Sequence, residues 1–484
     1  MNIEPTKVQC IKDFLLNTDQ VKSLTRLHDG PIHCIFPQLM AHTIQRFKEL
    51  WEKYDIDLSI YFAHKANQSD SFLRMAHYCW IWVEVSSYYE LQHALSSWFN
   101  SSRILAWWIK NQEYILLSLQ HTIPFVIDNP SELRQIITLQ EQHFPHQYIE
   151  LFLRISDPYR QSKFWVCIDM LTTHYGFIAN HAIKILWLHY HWAETSDRIK
   201  SDLIQKIMNE YTHNTLLTDS MSINIWWWWW CKKHNHCSAK NYVKTLSQKV
   251  IHWEDTETWW NYAFNIHRHH DGSLIWKDKL QQMVLIQDCV DYFDKVLSQS
   301  IARRMSDAMM NTIIEPWSWL LQNAWITILK IIGIKEDNFW NSIIIVNANI
   351  NNVWMVQYFA DPELIKVEEN NNKQNWSQSS TWYFITWNLC RPDDILMMRK
   401  VHFHQHPEIW DFICLRNTAA YISDFNDARS HLHPLWKKYS IICHSNNQFE
   451  IYKDSQYNPY LHNSPQLWSS QISINSSEIH HCSC

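Results

Sequence analysis

Between residues 34 and 316 short apolar runs alternate with longer, polar-faced segments, and this rhythm constrains the fold more than any other feature. Leu58–Ala63, Ile81–Val85, Arg103–Ala106, Phe125–Ile127, Ile149–Arg154, Ile183–Tyr190, Thr218–Ile225 and Thr312–Glu315 read as strands. Ser69–His77, Ser87–Ser97, Asn111–Gln120, Ser131–Gln142 and Ser196–Tyr211 read as helices between them, several opening on Ser or Asn as an N-cap. A strand–helix unit repeated eight times predicts a (β/α)8 TIM-type barrel, with a doubly wound sheet as the competing α/β arrangement. Residues 230–306 interrupt the rhythm with a polar, His-rich insertion. Beyond Ala324 the strand-like runs follow one another without helices: Ile326–Ile332, Ser342–Val346, Val353–Phe359, Trp382–Thr386, Phe412–Leu415 and Tyr439–Cys443. They predict a C-terminal all-β domain. The expected division is 1–33 joining that β-domain, 34–316 as the barrel, 317–462 as the β-domain and 463–484 as a polar, disordered tail.

A chain of 484 residues can bury a large core. With a net charge of −6 and 19% charged residues, no nucleic-acid partner is implied. No uncharged apolar run reaches the ~18 residues of a membrane span. Met1 to Cys10 lacks the apolar stretch of a secretory signal, so a cytoplasmic location is expected. The twelve cysteines are scattered and read as reduced thiols. Cys231-Lys-Lys-His-Asn-His-Cys237 has metal-binding residue types, but its spacing matches no standard zinc site, and no metal is expected. Ile266-His-Arg-His-His-Asp271, in the insertion, reads as a solvated loop.

One part of the composition is at odds with a folded protein of this size. The chain has 4 glycines and 29 tryptophans. Together they come to about 7% of residues, the usual share of glycine alone. Tryptophan also stands where turns call for glycine, as in Ile81-Trp-Val83, Ser97-Trp-Phe99, Phe164-Trp-Val166 and Glu408-Ile-Trp-Asp411. Trp226 to Trp230 form a run of five, whose indoles cannot be packed in a tight turn. The expectation is that most tryptophans mark a UGA codon, written as Trp but inserted as Gly in the source organism.

Candidate chemistry collects at the C-terminal ends of the barrel strands. Lys65, Glu84, Arg154, His191, the Trp226–Trp228 run and Glu315 all fall there, on the face where (β/α)8 enzymes carry their active sites. Lysine forms Schiff bases with carbonyl cofactors. The segments around these residues resemble the fold-type III, alanine-racemase-like pyridoxal phosphate (PLP) enzymes, in particular the diaminopimelate/ornithine/arginine decarboxylase group. Tyr61-Phe-Ala-His-Lys-Ala-Asn67 resembles the family's Y-A-x-K-A-N, which implies that Lys65 is the Schiff-base lysine. Ile81 to Leu91 resembles G-x-D-V-x-S-x-x-E-L, with Glu84 in place of Asp, and Ser162-Lys-Phe-Trp165 resembles S-K-F-G. Trp187-Leu-His-Tyr-His191 resembles G-x-H-x-H, whose second histidine stacks on the cofactor ring. Asn224-Ile-Trp-Trp-Trp228 resembles the phosphate-binding I-G-G-G, implicating Trp226, Trp227 and Trp228. Glu315-Pro-Trp317 resembles E-P-G, and Asn323-Ala-Trp325 the N-A-G that follows. In the β-domain, Trp387-Asn-Leu-Cys390 resembles the catalytic-cysteine segment G-P-x-C, and Asn417-Thr-Ala-Ala-Tyr421 the N-x-G-A-Y whose tyrosine reaches the phosphate. In nearly every one of these segments a Trp stands on a family Gly.

The resemblance implies PLP held by Lys65, His191, Trp226–Trp228, Glu315, Tyr421 and Arg154. It implies decarboxylation of an amino acid, with Lys65, Cys390 and His191 as catalytic residues, in a homodimer whose sites are shared. A racemase of the same fold and a PLP-binding pseudo-enzyme are the alternatives. Three positions depart from the pattern: Ser318 replaces the arginine of E-P-G-R, Arg391 the acidic residue after the cysteine, and Ala193-Glu194 the usual Gly-Ser. The first and third weaken the phosphate site. The second argues against a simple diamine or diaminopimelate substrate and for one with an acidic distal end.

Overall fold

The computed structural model describes residues 4–26, 28–55, 58–155, 183–191, 222–226, 312–314, 320–321, 324–337, 340–349, 362–366, 381–389, 394–396, 400–403, 405–416, 418–419, 434–444 and 448–454. The chain opens with α1 (Glu4–Leu16), α2 (Thr18–Arg26), β1 (Ile32–Ile35) and α3 (Pro37–Tyr54). Eight parallel strands then close into a barrel: β2 (Leu58–Ala63), β3 (Trp82–Val85), β4 (Ile104–Ala106), β5 (Phe125–Ile127), β6 (Ile149–Ile155), β7 (Ile183–His191), β8 (Ser222–Trp226) and β9 (Thr312–Ile314). Pairing of Leu58 with Thr312 shuts the ring. The described helices of this part are α4 (Asp70–Tyr78), α5 (Tyr88–Ser96), α6 (Gln112–Gln120) and α7 (Pro130–His143). The barrel, and not the doubly wound sheet, is the arrangement adopted.

Closure accords with burial on both faces of β2–β6. Ile60, Phe62, Val83, Val85, Ile104, Ala106, Phe125, Ile127, Leu151 and Leu153 join one apolar core with α4–α7 residues such as Leu73, Leu91, Ile115 and Ile136. Side chains alternate along a strand, so Tyr61, Ala63, Glu84, Leu105, Val126, Phe152 and Arg154 turn to the barrel interior, and all are buried. Trp82 is one of the tryptophans expected at a turn. It lies instead in β3, stacked on Tyr61 at 5.2 Å, because the turn ends one residue earlier.

The helix starts follow the sequence signals. Ser87, Asn111 and Asn129 each accept a hydrogen bond from the backbone three residues on, at Glu90, Tyr114 and Glu132. Pro130 at the first turn of α7 leaves no donor unsatisfied. Asn129→Ala is expected to cost about 1 kcal/mol. The urea midpoint measures it, and an unchanged midpoint would remove the cap from the account.

The second domain is a sheet in the order β14 (Val401–His402), β13 (Trp382–Thr386), β11 (Ser342–Val346), β10 (Trp325–Glu336), β1, β16 (Lys437–Cys443), β17 (Phe449–Lys453). β15 (Phe412–Arg416) pairs with β10 and with β12 (Pro362–Ile365). β1 inserts between β10 and β16, antiparallel to one and parallel to the other. The N-terminal segment is thereby part of the C-terminal sheet. Cys10 and Cys443 are joined by a disulfide, a correction to the expectation of reduced thiols. The pairing of β1 with β16 brings these ends together, and spacing along the sequence carries no trace of it. Cys34, Cys79 and Cys414 are free.

Among the described residues, the non-glycine positions with φ between 50° and 85° are Asp55, Trp80, Trp98, Trp108, Thr122, Trp340 and Trp410. A left-handed backbone costs an L-residue roughly 1–2 kcal/mol.

Candidate active site

Lys65 sits in a 3-10 turn, His64–Ala66, that leaves β2 at the C-terminal mouth of the barrel. Asn67 closes the turn. Its backbone N–H donates to His64 O, its side chain accepts from Ser69 N, and its Nδ2 donates to Ala419 O in the β-domain at 2.8 Å. The A-N of the motif therefore anchors the lysine turn to the second domain. On the neighbouring strand β3, Glu84 is in register with Ala63, and Lys65 Nζ donates to both Glu84 oxygens at 2.5 and 2.6 Å. Glu84 is wholly buried, whereas Lys65 is 23% exposed. Lys65 Nζ also lies 4.8 Å above the Trp107 ring.

A second charged group lines the same mouth. Arg154, near the end of β6, is 2% exposed and donates to Asp128 Oδ1 at 3.1 Å. Its guanidinium is 5.8 Å from the Trp107 ring, so Lys65 and Arg154 share that indole. Asp128 Oδ2 is buried without a hydrogen-bond partner among the described residues. Behind it Lys110 Nζ donates to Trp108 O, Val126 O and Glu132 Oε1, while Glu132 Oε2 accepts from Asp128 N. Burial pushes the Lys110 ammonium below its usual range, against the pull of Glu132 and Asp128. Near Lys65, Glu90 accepts from Ser86 N, and burial raises its carboxyl, opposed by His64.

A histidine chain supports the lysine turn. His64 Nε2 and His93 Nδ1 are 2.9 Å apart, and His93 Nε2 meets Asp70 Oδ1 at 3.3 Å. Burial lowers His93 to about 4, although Asp70 opposes it. Burial pushes the Asp70 carboxyl up, but His93 and Arg74 outweigh it and leave it lowered. A histidine depressed from 6.5 to about 4 gives stability that is complete above about pH 6.5 and is lost as pH falls toward 4, on the order of 3 kcal/mol. Asp454, raised to about 6 by burial, works in the opposite sense, so only a comparison with a variant isolates His93. His93→Gln is expected to flatten the fall in unfolding free energy across that window. Parallel pH profiles for the two proteins would overturn the assignment.

Of the residues expected in the site, the structure brings Lys65, Glu84 and Arg154 to one mouth. His191 and Trp226 are the last residues of β7 and β8 and pair across them, at the same end of the barrel. Glu315 directly follows β9. Glu315, Trp227, Trp228, Cys390 and Tyr421 lie outside the described residues. Asp128, Lys110 and Trp107 were not anticipated, although Asp128 directly follows β5 and Trp107 directly follows β4. The rule that selected Lys65 would have found them.

A closed (β/α)8 barrel with a lysine at the mouth of its first strand, joined to a β-domain, matches the fold-type III PLP proteins in fold. Residues 40–189 match the family described as pyridoxal-dependent decarboxylase, pyridoxal binding domain. The chain is 20% identical over 428 residues to the uncharacterised protein y4yA of Sinorhizobium fredii, covering 86% of this chain and 88% of that one. Its fold is similar to diaminopimelate decarboxylase from Helicobacter pylori, complexed with L-lysine (TM-score 0.61, 15% identity, 90% and 96% of the two chains). It is also similar to the arginine decarboxylase of Paramecium bursaria Chlorella virus (TM-score 0.58, 12% identity, 88% and 100%). No helix among the described residues is long and apolar enough to cross a membrane.

Proposed function

We propose that this chain is a PLP-dependent amino-acid decarboxylase. The observation that carries the reading is the Lys65 amine at the barrel mouth, aimed at Glu84 and lying over Trp107. The residues present fit the cofactor: a partly exposed primary amine for its aldehyde carbon, a buried guanidinium beside it, and a buried carboxylate oxygen with no hydrogen-bond partner among the described residues. PLP, when bound, supplies an electron sink for the negative charge left at Cα.

The chain's own groups do the rest in this reading. Glu84 holds the Lys65 amine in place and takes up its charge. With the cofactor bound, His191 would be the residue that packs on its ring, and Glu315 the one that holds a proton at the ring nitrogen. Backbone N–H groups at 226–228 and the Tyr421 hydroxyl would hold its phosphate, provided that no bulky side chain fills the loop. Cys390, contributed by the second subunit of a homodimer, delivers a proton to Cα after CO2 leaves. A thiol there favours decarboxylation over racemisation, which needs a second base opposite the lysine. The substrate is an amino acid, with Arg391 favouring an acidic distal end.

Borohydride reduction of the PLP-loaded protein, followed by peptide mapping, tests the cofactor assignment. A pyridoxyl group on the Lys65 peptide is expected, and its absence would sink it. CO2 release from an amino-acid panel then separates the readings. Inversion of an enantiopure substrate indicates a racemase, and label without turnover a PLP-binding protein.

A further inference from the structure

We infer that the functional protein carries glycine at positions 80, 98, 108, 340 and 410, where this sequence reads tryptophan. The backbone at these positions has the form that favours glycine, and four of them lie in three separately recognisable hydrogen-bonded motifs. α4 ends with Ile81 N donating to Ala76 O and Trp80 N to His77 O, the paired bonds of a Schellman cap whose next-to-last residue must be left-handed. That residue is Trp80, at φ 59°. α5 ends identically: Phe99 N donates to Ala94 O, Trp98 N to Leu95 O, and Trp98 has φ 65°. In both caps the following residue, Ile81 or Phe99, is buried as the motif requires, while the tryptophan itself is 76% or 63% exposed.

Between β10 and β11, Trp340 N donates to Asp337 O, and Trp340 has φ 62°. The bond closes the connection between two antiparallel strands, and the residue that donates it is left-handed, a place in a hairpin that favours glycine. In the turn Glu408 to Asp411, Asp411 N donates to Glu408 O and the third residue, Trp410, has φ 85°. A positive φ at the third position is the type II signature, which calls for glycine. Trp108, at φ 66°, lies in the β4–α6 loop at the active-site mouth, and its carbonyl accepts from Lys110.

The two described glycines make the contrast. Gly30 and Gly333 are both outside the left-handed region. So five of the seven left-handed non-glycine positions among the described residues hold tryptophan, with the indole 36–83% exposed and outside the buried core. A single codon read as tryptophan here and as glycine in the source organism accounts for both facts. The α6 cap, with Thr122 at φ 55°, shows that the motif can form around another residue, so the inference concerns the tryptophans alone.

The test is mass analysis of tryptic peptides Met75–Arg103 and Ile104–Lys110 from protein purified from its natural source. Glycine at 80, 98 and 108 is expected. Tryptophan at any of the three overturns the inference. A second measurement uses recombinant protein with all five tryptophans changed to Gly, or all five to Ala. Ala removes the indole but keeps the backbone strain. The Gly variant is expected to melt about 5 °C above the present sequence and clearly above the Ala variant. Equal melting of the Gly and Ala variants would show that the backbone does not call for glycine there.

Discussion

Lys65→Ala is expected to abolish cofactor attachment and to lower turnover on the order of 10³-fold or more, because no other group supplies the amine at the barrel mouth in the proposed chemistry. The substitution also leaves Glu84 buried without the ammonium that meets both its oxygens. Losing one member of a buried pair costs several kcal/mol. Lys65 is 23% exposed and water reaches it, so a loss of at most about 3 kcal/mol is expected. Lys65→Arg separates the two effects. Its guanidinium keeps a positive charge against Glu84, yet cannot act as a nucleophile toward a carbonyl, because it stays protonated. Lys65→Arg should therefore hold most of the stability and still take up no borohydride-fixed cofactor. Residual turnover within tenfold of the parent in either variant would move the chemistry off Lys65.

The barrel was legible because β2–β6 are buried on both faces and read as short, mostly apolar runs. Leu58–Ala63 and Phe125–Ile127 match the predicted ranges, and the other barrel strands with fully described ends differ by one residue at a terminus. The boundary between domains was harder. β1 spans Ile32–Ile35, across the expected division at residue 34, and takes partners from β10 and β16 near the other end of the chain. A four-residue strand whose partners lie some 300 or more residues away has no local signal. α3, β12 and β17 were not anticipated either, and the expected Ser196–Tyr211 and Val353–Phe359 elements lie outside the described residues. In the site, Lys65, Glu84 and Arg154 could be placed from strand ends alone. Their partnerships could not. The pairing of Lys65 with Glu84, or of Arg154 with Asp128, depends on the register between neighbouring barrel strands, which closure of the ring fixes.

Arg154 makes the strongest case that this register carries energy. Arg154 and Asp128 are 2% and 3% exposed, and the pair is joined at 3.1 Å. Arg154→Met removes the cation and keeps much of the apolar bulk against Trp107. It leaves the Asp128 carboxylate buried with Oδ1 stranded and with Oδ2 already lacking a hydrogen-bond partner among the described residues. A loss of about 3–5 kcal/mol in unfolding free energy is expected, since a buried charge without its partner costs more than the intact pair contributes. Lys110 lies close enough to act on Asp128, but its three donors are committed to Trp108 O, Val126 O and Glu132. Rescue then distinguishes the mechanism. Adding Asp128→Leu to Arg154→Met removes the stranded carboxylate, and the double variant should recover most of the loss, because an apolar pair of similar volume replaces an ion pair at little cost. If the double variant is as unstable as Arg154→Met, the loss is one of shape against Trp107 and not of charge. If Arg154→Met alone costs less than about 1 kcal/mol, Lys110 has taken over the carboxylate, and the mouth of the barrel is held by Lys110 and Glu132.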